Sequence, residues 1–147
     1  MKSLAIVVAG LAFVACGKQE PPARYEHPCP PDTTLITVAA RDIEPETFDC
    51  GCVDMNSSPQ RRATVQRCTA EHFAVGRAFH ARFEMQGIDS QVSKLVIGTT
   101  SRQLIEYTND SLSPHYTRYV CRAPTISPDK TAVYCPDTNR DPERIPR

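Results

Sequence analysis

Six cysteines, Cys29, Cys50, Cys52, Cys68, Cys121 and Cys135, are spread along a chain of 147 residues and limit its possible folds more than any other feature. A seventh, Cys16, makes the count odd. An odd count ordinarily leaves one thiol free or bonded between molecules. Setting Cys16 aside leaves enough for three bridges, and disulfides persist in oxidising compartments. Spacing alone does not choose among the many pairings open to six cysteines. Two pairs look geometrically easy. Cys121 and Cys135 end two strand-like runs, "YTRYVC" and "TAVYC", and Cys68 follows Cys50 and Cys52 on an expected helix. The expected set is therefore Cys52–Cys68, Cys121–Cys135 and Cys29–Cys50. Each bridge would contribute about 3 kcal/mol by restricting the unfolded chain.

The surroundings of Cys16 explain why it stands apart. Met1-Lys2-Ser3 is a short basic start, and Leu4 to Ala15 ("LAIVVAGLAFVA") is apolar or small throughout. Twelve residues do not span a hydrocarbon core of about 30 Å, which needs about 20, but they fit the apolar part of a secretory leader. The stretch Phe13-Val14-Ala15-Cys16 at its end resembles the lipobox of bacterial lipoprotein precursors, with Phe13 in place of the favoured leucine. The resemblance implies that Cys16 receives a diacylglycerol thioether. It further implies that residues 1–15 are cut away and that the new amine takes a fatty acyl chain such as palmitate. Several chains anchor stably where one anchors marginally. Residues 16–31 ("CGKQEPPARYEHPCPP") then read as a proline-rich tether, too poor in apolar groups to build a core. Gly17 is not the aspartate that retains enteric lipoproteins in the inner membrane. The expected location is therefore the cell envelope, and within it the outer membrane before the inner.

What remains suits one domain, expected over 32–136, with 137–147 as a polar, disordered tail. Loss of Lys2 with the leader leaves 16 Lys and Arg against 17 Asp and Glu. So near-neutral a chain offers no basic field for nucleic acid and no polybasic patch for anionic lipid. Tryptophan is absent, which disfavours a carbohydrate-stacking platform.

Within the domain, "TTLITVA" (33–39) is rich in β-branched residues and reads as a strand. "RDIEPETFDCGC" (41–52) reads as a loop. "SSPQRRATVQRCTAEHFAVG" (57–76) is the clearest helix. Ser58 is its cap, Pro59 its first turn, Gly76 its end, and Val65, Cys68, His72 and Val75 form its apolar stripe. In "AFHARFEMQG", Phe79, Ala81, Phe83 and Met85 alternate with His80, Arg82 and Glu84, the period of a half-buried strand. "VSKLVIGTT", "RQLIEYT", "HYTRYVC" and "TAVYC" continue with short links, which favours an antiparallel meander. The expected fold is α+β: one main helix packed on a four- to five-stranded antiparallel sheet, stapled by disulfides. In element order this is similar to a cystatin-like roll, although the Gln-x-Val-x-Gly inhibitory loop of cystatins is absent.

The most chemical-looking stretch is Cys50-Gly51-Cys52. As a redox pair it would make the chain a thiol–disulfide oxidoreductase. Asp49 and Asp54 beside it disfavour thiolates, however, and two structural bridges explain it more simply. His27, His72, His80 and His115 lack metal-ligand spacing. No Gly-x-Ser-x-Gly elbow, phosphate loop or dinucleotide fingerprint is present. Glu84, Asp89, Glu106 and Asp110 are the carboxylates that a hydrolytic cleft would have to gather. Tyr107, Tyr116 and Tyr119 are expected to cap the core. The sequence thus calls for no catalytic residues, metal or cofactor. It points to a non-enzymatic, membrane-anchored binding or structural module with an envelope protein or a small ligand as partner.

Overall fold

The computed structural model describes Cys29, residues 33–136 and residues 139–146. The leader, Cys16 and nearly all of the tether lie outside the described residues.

The clearest sequence signals set the main helix, α2, over Pro59–Val75. The Ser58 hydroxyl accepts from the Arg61 amide at 3.1 Å, answering one of the donors a helix start leaves open. Gly76 ends the helix at φ 68°, a left-handed conformation that suits a residue without a Cβ. The buried stripe is not the expected one. It runs through Val65, Thr69 and Phe73 with Ala70 beside it, while Val75 is 65% exposed. Cys68 and His72 sit at the edge of the stripe, and His72 stacks on Phe48 with ring centroids 4.5 Å apart.

Among the described residues, six strands make one sheet: β1 (Phe48–Val53), β2 (Phe79–Gln86), β3 (Gln91–Gly98), β4 (Leu104–Asp110), β5 (His115–Cys121) and β8 (Arg140–Pro146). They lie in that order, with a separate hairpin of β6 (Thr125–Ile126) and β7 (Val133–Tyr134). β2 to β5 form the expected antiparallel meander. Three expectations fail around it. Residues 41–52 are not all loop, because Phe48–Val53 runs parallel to β2 at the sheet edge, with α2 as the crossover. Within the expected disordered tail, Arg140–Pro146 is a strand and pairs with β5 along its whole length. The sheet is therefore mixed and six-stranded, not a four- to five-stranded meander.

The third failure concerns "TTLITVA". Thr33–Val38 is a helix, α1, followed by a 3₁₀ turn over Ala40–Asp42. Leu35, Val38 and Ala39 are spaced 3 and 1 apart, one side of a helix, and they cover the sheet face that α2 does not. Burying that side outweighs the mild helix aversion of Thr, Ile and Val. Both sheet faces are consequently packed. On one, Leu95, Ile97, Ile105, Tyr107 and Tyr116 meet α1. On the other, Phe79, Val96 and Leu104 meet Phe73, and Val53 and Ala81 meet Val65.

Three disulfides staple these layers: Cys29–Cys52, Cys50–Cys68 and Cys121–Cys135, with Cα separations of 6.1, 5.7 and 5.7 Å. The expected Cys121–Cys135 bridge is present, but the other four cysteines are paired the other way round. The register supplies the reason. Asp49 lies opposite His80 and Cys52 opposite Arg82, so β1 holds one extra residue, a bulge centred on Gly51 at φ 93°. The bulge breaks the alternation that would set Cys50 and Cys52 on one face. Cys50 packs with the α2-side core and bonds α2, while Cys52 aligns with Arg82 on the other face and bonds Cys29.

Candidate functional site

On the α2 side, the helix covers only the β1–β3 part of the sheet. The β6–β7 hairpin is drawn over the rest by the Cys121–Cys135 bridge. Between helix and hairpin lies a cleft of about 290 Å³. Its floor is the sheet, and the floor carries charge. Glu106, from the middle of β4, has a side chain only 5% exposed. Lys94 Nζ lies 3.4 Å and Arg140 Nη2 3.3 Å from the same oxygen, Glu106 Oε2. The register explains the meeting. Lys94 faces Thr108, two residues along from Glu106, a diagonal within reach of a long side chain. Arg140 is on β8 and reaches across β5, its guanidinium 5.8 Å from the centre of the Tyr119 ring, while Tyr119 itself lies opposite Glu106. A buried carboxylate without partners would be costly, and two cations satisfy this one. Arg62 of α2 adds a third cation to the lining, and Phe83, Met85, Val96 and Val133 supply apolar wall.

The opposite face holds a different network. Asp42, at the end of the 3₁₀ turn, accepts from the Tyr107 hydroxyl at 2.6 Å. It also accepts from Arg118 Nε at 2.6 Å and from Arg118 Nη2 at 3.0 Å. Glu143 of β8 accepts from Arg118 and Arg41. This network fastens the α1 segment to the sheet. Burial alone would push the Asp42 carboxyl up, but the bonds from Arg118 and Tyr107 outweigh it, and the group lies below its ordinary value. Tyr107, fully buried, is shifted up by burial first and by Asp42 second. The signs follow. The Asp42 contribution to stability is present above the ordinary carboxylate pKa of about 3.9 and is lost as pH falls through the lower folded value. The Tyr107 contribution is present below about pH 10 and is lost as pH rises through the higher folded value. In an alkaline titration followed by phenolate absorbance, Tyr107 is expected to be the last tyrosine to ionise, together with loss of the fold. Tyr107→Phe should remove that late step. A curve that merely loses one ordinary tyrosine would refute the assignment.

The other singled-out residues are not gathered into a site. Cys50 and Cys52 are in separate bridges, not bonded to each other. Glu84 pairs with Arg82 and accepts from the Ser93 hydroxyl on one sheet face, whereas Glu106 lies on the other. Asp110 accepts from the Leu112 amide in the turn after β4. His80 Nε2 lies 3.4 Å from Asp49 Oδ1 across the β1–β2 pair. Tyr107 and Tyr116 are buried in the core, and Tyr119 is half-buried under Arg140. Among the described residues, no three His, Cys, Asp or Glu side chains are grouped to hold a metal ion. Glu106 was singled out in the sequence as one carboxylate of a hydrolytic cleft, but Lys94 and Arg140, the cations that hold it, were not. The signal for Lys94 was there, since it sits directly before "LVIG", a charge bordering an apolar strand run.

No family model matches the chain, and neither a curated protein nor a solved structure matches it.

Proposed function

We propose that the chain is a lipid-anchored protein of the bacterial envelope whose disulfide-stapled domain binds a ligand in the cleft between α2 and the β6–β7 hairpin. The observation that carries the anchoring is the cysteine inventory. Three bridges take up Cys29, Cys50, Cys52, Cys68, Cys121 and Cys135, which leaves Cys16, at the end of the apolar run, as the cysteine outside the set. Such a set suits an oxidising compartment, as an exported protein requires. The lining of the cleft favours binding over chemistry. Its described residues include no Ser, Cys or His, its Thr69 hydroxyl donates to the Gln66 carbonyl at 2.7 Å, and its buried carboxylate is tied to two cations.

The test is an intact mass of the protein taken from bacterial membranes, with thiols alkylated before and after reduction. The expected result is an N-terminal, lipid-bearing Cys16, no free thiol before reduction and six after. Cys16→Ser should move the protein from the membrane fraction to the soluble one. A variant that partitions as the wild type does would sink the anchor.

A further inference from the structure

We infer that the cleft is a site for a small organic monocarboxylate with a compact apolar body. This inference rests on the reading of the domain as a binding module and adds the class of ligand.

The argument starts from charge. The described lining brings Arg62, Lys94 and Arg140 to one cavity. Against them stands the Glu106 carboxylate, shared by Lys94 and Arg140. Glu84 also borders the cleft, but its carboxylate is on the opposite sheet face, held by Arg82 and the Ser93 hydroxyl. Positive charge therefore exceeds negative at the floor and rim, and an anion entering the cleft is attracted. Glu106 also organises the site. It holds two cations side by side that would otherwise repel, so little ordering remains to be done when a ligand arrives. The Lys94 ammonium carries three donors on a side chain 24% exposed, so donors beyond the one aimed at Glu106 are available to a second anion in a partly desolvated setting.

The walls set the rest of the ligand. Phe83, Met85 and Val96 of the sheet and Val133 of the hairpin offer apolar surface on both sides of the charged floor. The volume of about 290 Å³ is close to ten times the share of one water in the liquid, which admits a molecule of roughly ten non-hydrogen atoms. One negative charge matches the excess at the floor. A more highly charged ligand would meet the Glu106 carboxylate at close range.

Benzoate and its neutral analogue benzamide test this by calorimetric titration of the intact protein in non-ionic detergent, with protein-free detergent as blank. Benzoate is expected to bind about tenfold or more tighter than benzamide, the order of one hydrogen bond to a charged group. Lys94→Gln should weaken benzoate binding by a similar factor and leave benzamide unchanged. Lys130→Gln, on the exposed turn between β6 and β7, should alter neither. Equal binding of the two probes would overturn the inference while keeping the cleft as a binding site. Binding of neither at millimolar concentration would overturn both, leaving the anchor to be judged by the mass of Cys16. Benzoate binding untouched by Lys94→Gln would place the anion elsewhere and overturn it too. If Lys94→Gln does not fold, the contrast between the two probes on the wild type still decides.

Discussion

Gly98→Ala is expected to destabilise the domain by about 3 kcal/mol, the upper part of the range for an overfilled core. The sign is the informative part. Glycine inside a strand is normally a weak choice, and alanine there should stabilise. Gly98 is the last residue of β3 and lies opposite Phe79 of β2. Phe79 is fully buried, and its ring lies across the Gly98 backbone. A Cβ on Gly98 would overlap the edge of that ring, 2.6 Å from both Cδ1 and Cζ. The ring cannot tilt away without disturbing Phe73, Val96 and Leu104, which belong to the same cluster. Thermal unfolding of Gly98→Ala, Phe79→Leu and the double variant measures this directly. The double variant should be more stable than the sum of the two single effects allows, because the smaller side chain vacates the space that the new methyl needs. Additive losses would show that Gly98 is required for some other reason.

Replacing Cys50 and Cys68 together by alanine is expected to cost about 3 kcal/mol, the estimate for a closed loop of this size. The bridge closes a loop with a sequence separation of 18 and joins the outermost strand, β1, to α2. Without it β1 keeps its parallel pairing to β2 and the Cys52 bond to Cys29 but has no covalent tie to α2. Replacing Cys50 alone should be worse in practice. It leaves a free Cys68 thiol, which can exchange with other disulfides. Proteolysis under non-reducing conditions, followed by mass analysis, should recover peptides joined as Cys50–Cys68 and Cys29–Cys52. Fragments joined as Cys52–Cys68 would contradict the bulge at Gly51 that turns the two side chains apart.

Much of the α2 side was legible because its signals are local. Ser58, Pro59 and Gly76 mark the helix ends by chemistry that acts within one turn. The alternation of Phe79, Ala81 and Phe83 with polar neighbours marks β2. The α1 side was not, because propensity and packing disagree there. "TTLITV" has strand-like residues at helix-like spacing, and only the Leu95, Ile97 and Tyr107 surface opposite it decides between them. A hint was available in "LVIG" and "LIEY", whose unbroken apolar runs suit strands covered on both faces. β8 was hidden by Pro142 and Pro146, which mark an edge strand as readily as a loop. The cleft was hidden by distance along the chain. Lys94, Glu106 and Arg140 come from three strands, and it is the return of β8 alongside β5 that brings the last of them into reach.

The Cys29–Cys52 bridge also sets how the domain bears mechanical load. Any pull on the chain preceding Cys29 arrives at that residue and crosses the bridge to Cys52 on β1. Residues 30–51 are a closed loop in parallel with that bond, so they cannot be drawn out while it is intact. The α1 cover and its Asp42–Arg118 fastening lie within or against this shielded loop and are not peeled from the sheet. From β1 the force divides between the ladder to β2 and the Cys50–Cys68 bond to α2. Strand and helix must therefore move together or not at all. A domain held at its first cysteine is thus gripped through its most heavily cross-linked corner, the strand that carries both Cys50 and Cys52.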